Sequence, residues 1–119
     1  MTIEISTHAK EESTFIIQMT FTDEDGDAVV PQSIKWHLMD INGLAYINSR
    51  QDVAVASPSS VVDVVLYGDD LQILSTESHK SEVKRKFIVE ATYNSDLASN
   101  LPLKGETVFT IDNLSHVAV

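Results

Sequence analysis

The residues best able to do chemistry fall into a few small groups. The acidic run Asp23-Glu24-Asp25-Gly26-Asp27 offers alternating carboxylates, the ligand type a hard cation takes. Asp23, Asp25 and Asp27 open like a calcium-binding loop, but Gly26 falls one position early for that motif. No acidic residue stands at the twelfth place, and no helical pattern flanks the run. It reads as a solvated hairpin tip. The histidines, His8, His37, His79 and His116, lack the spacing of a helical zinc site, and there is no cysteine to complete one. Only a cross-strand metal pair stays open. Asp69-Asp70 resembles a paired-carboxylate acid/base site, yet neighbours on a regular strand point to opposite faces. No serine sits in a Gly-x-Ser-x-Gly elbow, and no glycine-rich loop cradles a phosphate. The expectation is therefore no enzyme: no catalytic residue, no metal ligand and no cofactor.

One basic cluster remains, Lys80, Lys84, Arg85 and Lys86. In a strand Lys84 and Lys86 share a face while Arg85 points the other way. No aromatic residue interleaves with them, so base stacking is not supported. Two uses compete: balancing nearby acids, or docking an acidic neighbour. The chain of 119 residues carries a formal charge of −10, which opposes sequence-independent nucleic-acid binding and anionic membrane surfaces. At 43% hydrophobic and 22% charged it can bury a core as one domain. The start, Met-Thr-Ile-Glu-Ile, lacks the pattern of a secretory signal, so synthesis in a cytoplasm is expected. Without cysteine, packing alone must hold the fold.

The elements that position these groups are strands. Asp25-Gly26 and Asn42-Gly43 bracket the run holding the sole tryptophan, Trp36, and both are strong hairpin signals. Phe15, Ile17, Met19 and Phe21 alternate with Gln18, Thr20 and Thr22, and Ile16 falls on the polar side. Ile34, Trp36 and Leu38 are placed inside; Lys35, His37 and Met39 are placed outside, so His37 is expected to be exposed. A strand is predicted from Leu44 to Arg50, continuing through Asp52–Ala56 beyond a bulge or bend. Val62, Val64 and Leu66 face inward on the next strand. A helical turn capped by Asp69 or Asp70 follows, then a hydrophilic loop over 75–82. Phe87, Val89, Ala91 and Tyr93 face the core on a long strand, and Phe109 and Ile111 do so on the closing one. Tyr93 invites comparison with a tyrosine corner, against an ordinary core tyrosine with a solvated hydroxyl. The prediction is an all-β fold, an immunoglobulin-like antiparallel β-sandwich of about 7–8 strands. A small closed barrel is the competing architecture. The divisions are an arm or edge strand over 1–12, the sandwich over 13–112 and a tail over 113–119.

The order of motifs carries a resemblance. It runs through Phe21-Thr22-Asp23-Glu24-Asp25-Gly26, then Pro31-Gln32-Ser33-Ile34-Lys35-Trp36-His37-Leu38-Met39-Asp40, Gly43 and Ile47-Asn48-Ser49-Arg50. It continues with Leu66-Tyr67-Gly68-Asp69-Asp70-Leu71, Val89-Glu90-Ala91-Thr92-Tyr93-Asn94-Ser95-Asp96, Leu101-Pro102-Leu103-Lys104 and Phe109-Thr110-Ile111. Over residues 13–114 this resembles the small immunoglobulin-like proteins encoded among structural genes of tailed bacteriophages and prophages. The resemblance implies a non-enzymatic virion component at the head, neck or tail, present in several copies and contacting other virion structural proteins. Its expected location is the virion, after synthesis in the host cytoplasm. The expected contact residues are Lys84 and Lys86 with the tail residues Leu114, Val117 and Val119. The alternative is a carbohydrate- or receptor-binding sandwich using the exposed aromatics Tyr46 and Tyr67.

Overall fold

Period-2 alternation dominates the chain, and the computed structural model turns it into strands. Residues 7–77, 79–95 and 97–114 are described, together with the backbone of 2–4. Eight strands follow one another: β1 (Thr2–Glu4), β2 (Ala9–Lys10), β3 (Thr14–Thr20), β4 (Ser33–Asp40), β5 (Val53–Ala54), β6 (Val61–Tyr67), β7 (Glu82–Tyr93) and β8 (Leu101–Asp112). Two 3₁₀ turns, Gly68–Leu71 and Ser75–Glu77, separate β6 from β7, and no α-helix occurs among the described residues. The protein is all-β.

The larger sheet has the order β1-β8-β7-β4-β5, with β2 also paired to β8; β3 and β6 form a separate antiparallel pair. The larger sheet is not purely antiparallel as expected. β1 and β2 run parallel to β8, with Thr2 opposite Glu106 and Ala9 opposite Ile111. The reason is topological: after β2 the chain crosses into the smaller sheet, so β8 reaches β1 and β2 only at the end of the chain. A parallel neighbour of this kind requires a long connection.

The core lies between the two sheets. Ile17 and Met19 of β3 and Val64 and Leu66 of β6 meet Trp36, Leu38, Phe87 and Phe109 of the larger sheet. Phe15 stacks on Phe109 across the layers, with ring centroids 5.3 Å apart, and Trp36 stacks on Phe87 at 5.3 Å. Each such side chain contributes on the order of 1.5–3 kcal/mol by leaving water. The alternation assigned to β3, β4, β6 and β7 is thus the alternation that builds the core.

Three local expectations are corrected. Leu44 to Arg50 is not a strand; Tyr46 makes a single bridge to Met39. Asn48, Ser49 and Asp52 take left-handed φ of 53°, 56° and 52°, which ends any extended run. His37 points outward from β4 but is only 8% exposed, because this same irregular segment folds over it. The 3₁₀ turn at Gly68–Leu71 forms where expected, but Tyr67 is its N-cap and Asp70 sits at its third position.

Candidate functional site

Three charged clusters fix the loops around the two sheets, and in the first and third the central side chain is one that strand alternation places. In the first, β4 and β7 pair so that Lys35 lies opposite Glu90, and β7 and β8 pair so that Glu90 lies opposite Lys104. The three form a row along one face. Glu90 takes Lys104 at 3.3 Å and Lys35 at 3.6 Å, and Lys35 also reaches Asp52 at 3.2 Å. A depression of about 450 Å³ lies here, lined in part by Lys35, Asp52, Glu90, Pro102 and Lys104.

His37 stands beside this row, and His37, Asp52 and Glu90 bring three potential metal ligands together. Its hydrogen bonds decide what it can do. The Asp52 N–H donates to His37 Nδ1 at 3.1 Å, so that nitrogen is the acceptor of a neutral ring. The proton then lies on Nε2, which donates to Glu90 Oε2 at 3.0 Å. A metal-ligating histidine donates its other ring N–H to an acceptor. Here the other nitrogen faces a donor, and the Lys35 ammonium already compensates both carboxylates. Neither nitrogen is open as a general base either. The hydrogen bond from His37 is the largest influence on Glu90, opposed by desolvation, and the carboxyl lies below its ordinary value. Tyr46 stacks obliquely on His37 at 5.9 Å and completes its cover.

The second cluster surrounds Asp70, which is fully buried. It accepts Arg50 Nε at 2.7 Å, Arg50 Nη2 at 3.2 Å, Asn48 Nδ2 at 2.9 Å and the Tyr67 N–H at 3.2 Å. Desolvation pushes this carboxyl up, but the hydrogen bonds from Arg50, Asn48 and Tyr67 outweigh it, and its pKa lies below the ordinary value. The guanidinium of Arg50 also lies 5.7 Å from the Trp36 ring centroid. Asp70 thereby ties the left-handed segment at 48–49 to the end of β6. Asp69 is exposed, so the adjacent carboxylates do not act together.

The third cluster is Arg85 with Glu77. Arg85 faces inward on β7, as alternation against Lys84 and Lys86 requires, and is fully buried. Its Nη2 donates to Glu77 Oε1 at 2.6 Å and its Nη1 to Glu77 Oε2 at 2.9 Å, a two-pronged pairing. The same nitrogens reach the carbonyls of Gln72 and Lys84 at 3.1 Å each. Only Arg85 Nε lacks a partner among the buried side-chain atoms of the described residues. The Arg85 hydrogen bond holds the Glu77 carboxyl below its ordinary value. The basic cluster is thus divided: Lys84 is exposed, Lys86 is half-buried with Glu106 at 3.0 Å, and Arg85 belongs to the core.

The remaining candidates are simpler. Asp23 Oδ1 accepts the N–H groups of Asp25 and Asp27 at 2.9 and 3.0 Å, and Gly26 supplies a φ of +83°, so the acidic run closes a turn. Tyr93 donates its hydroxyl to Glu24 Oε2 at 3.0 Å. This is neither a bond back to a nearby backbone nor a solvated hydroxyl; it pins the acidic hairpin to β7. His8 meets Asp112 at 2.8 Å on an exposed edge. Leu114 is 47% exposed, while Val117, Val119 and His116 lie outside the described residues. Tyr46 and Tyr67 belong to different sheets and form no common stacking platform.

One surface feature was only half visible in the sequence. The outward side of the smaller sheet joins Ile16 to Val65 and Thr14 to Tyr67 as cross-strand pairs. Ile16 and Tyr67 are each 58% exposed. The signal was Ile16 on an otherwise polar face; its apolar partners on β6 come from pairing, which sequence spacing does not give. No family model, curated protein or solved structure matches this chain.

Proposed function

We propose that the chain is an immunoglobulin-like sandwich domain that serves as a non-enzymatic structural adaptor in a tailed-phage virion. Its connectivity supports the sandwich reading. On this reading β4, β7 and β8 with β5 correspond to strands C, F, G and C′, and the separate β3–β6 pair to B and E. Trp36 on β4 occupies the place of the tryptophan typical of strand C in that fold. The virion assignment rests on the resemblance in motif order over residues 13–114.

The observation that carries the non-enzymatic part is the closure of the polar clusters. The His37 nitrogens, the Asp70 carboxylate and the Arg85–Glu77 pair are all spent on holding loops to strands. What stays open to partners is surface: the outer side of β3 and β6, and Leu114. The test is to purify particles from the strain that encodes the chain and to measure its copy number by quantitative mass spectrometry. A fixed stoichiometry to a head, neck or tail protein is the expected result. Its absence from intact particles refutes the virion assignment.

A further inference from the structure

We infer that the outer edge of β3 is a docking edge for a partner β-strand bearing apolar residues at alternate positions between Lys or Arg residues. This deepens, and rests on, the reading of the chain as a contact protein.

The backbone argument comes first. The Phe21 N–H donates to the Ser60 carbonyl at 2.8 Å, and the Gly68 N–H donates to the Ser13 carbonyl at 3.0 Å. These bonds bracket the β3–β6 ladder and fix its phase: the odd residues of β3 exchange hydrogen bonds with β6. By antiparallel alternation, the N–H and C=O groups of Thr14, Ile16, Gln18 and Thr20 face away from β6. No strand pairs with that edge among the described residues, and all four side chains are exposed. The far edge of β6 is less open, because the Tyr67 N–H is held by Asp70.

Edge strands are commonly protected by lysine, proline or a bulge. β3, Thr-Phe-Ile-Ile-Gln-Met-Thr, has no charged residue, no proline and an unbroken register with β6. Its outward side adds the apolar pair of Ile16 and Val65. Main-chain bonds along such an edge supply affinity, and alternate side chains supply selectivity.

Charge identifies the occupant. Segments 11–34 and 51–79, which include β3 and β6, hold eleven of the eighteen acidic residues and none of the eight Lys and Arg. They carry a formal −11, of which Asp52, Asp70 and Glu77 are met by Lys35, Arg50 and Arg85 from outside the segments, while the rest of the chain sets seven acids against eight bases. Glu12 lies just before β3, and the 23–27 hairpin lies just after it. A second copy paired antiparallel along β3 would set the Glu12 end against the 23–27 end, acid against acid. A strand with basic ends meets complementary charge at both.

Deuterium exchange followed by NMR tests this with a short synthetic peptide in which Val and Thr alternate between terminal Lys-Arg pairs. A peptide with Glu-Glu ends is the control. The basic-ended peptide should slow exchange at Thr14, Ile16, Gln18 and Thr20, and added salt should weaken it. Gln18→Pro removes an outward N–H and the exposed side-chain bond from Gln18 Nε2 to Asp63, leaves the backbone bonds between β3 and β6, and should reduce affinity at least about tenfold. Ile16→Lys, which places a charge on the edge, should do the same should the proline variant fail to fold. No protection at these four amides, or equal binding of the acidic-ended peptide, overturns the inference. So does protection in the full chain that disappears on removing residues 115–119, or a wild-type dimer that Gln18→Pro dissolves. Particle incorporation separates the two readings. Full incorporation of Gln18→Pro overturns edge docking alone, whereas absence of the wild-type chain from particles overturns the adaptor reading.

Discussion

Removing Glu77 is the sharpest test of how this fold holds its longest loop. The Arg85 guanidinium is fully buried, and its charge is met by both oxygens of Glu77 at 2.6 and 2.9 Å. In Glu77→Ala the Gln72 and Lys84 carbonyls are the acceptors that remain among the described residues. Leaving one member of a buried pair uncompensated costs about 3–5 kcal/mol. The Glu77 side chain is itself 18% exposed, so water can reach the gap and the lower end, about 3 kcal/mol, applies. Against a total of about 5–15 kcal/mol this is a large fraction of the stability. In a domain of this size the melting point should fall by roughly 10–20 °C. The double variant Glu77→Leu with Arg85→Met replaces the pair by apolar groups and should recover most of the loss, since burying an ion pair gains little over good packing. Urea unfolding followed by Trp36 fluorescence reads both. The reasoning fails if Glu77→Ala costs less than about 1 kcal/mol, or if the double variant is no more stable than the single one.

Other outcomes follow from the same geometry. Trp36→Ala removes a side chain stacked on Phe87 and should cost about 3–5 kcal/mol by urea unfolding; a loss under about 1 kcal/mol would place Trp36 outside the core. Asp70 and Glu77 both have carboxyls held below their ordinary values. The native state therefore takes up these protons at lower pH than the unfolded chain does. Their contribution should be complete above the unfolded carboxyl values near ~4 and be lost as pH falls through the lower folded values. Melting points measured from neutral to acid pH should drop in that window, and the drop should be smaller in Asp70→Asn. Melts with calcium, with zinc and with chelator should coincide, because His37 presents the wrong nitrogen to a metal and Asp23 is engaged in its own turn. A reproducible rise at micromolar metal would refute this.

Much of the fold was legible in the chain because burial on one face leaves a period of two. Ile17, Met19, Ile34, Trp36, Leu38, Val64, Leu66, Phe87, Phe109 and Ile111 read as core from spacing alone, and all are buried. The turns at Gly26 and Gly43 were equally plain, since a positive φ favours glycine. The division of the basic cluster also followed from alternation, although the full burial of Arg85 did not. What the chain did not reveal depends on contacts distant in sequence. The parallel pairing of β1 and β2 with β8 spans nearly the whole chain and leaves no local mark. Residues 44–50 looked extended because the segment follows the Asn42-Gly43 hairpin signal. Its left-handed residues are held in place by Asp70, twenty or so positions away. His37 pointed outward as its position dictates, yet it is buried because that same loop closes over it. The sequence by itself determined which residues face inward, since hydrophobic burial writes its pattern locally. Only the tertiary structure decided which charges pair and which strand edge stays open, because both depend on the neighbour a strand acquires rather than on the strand itself.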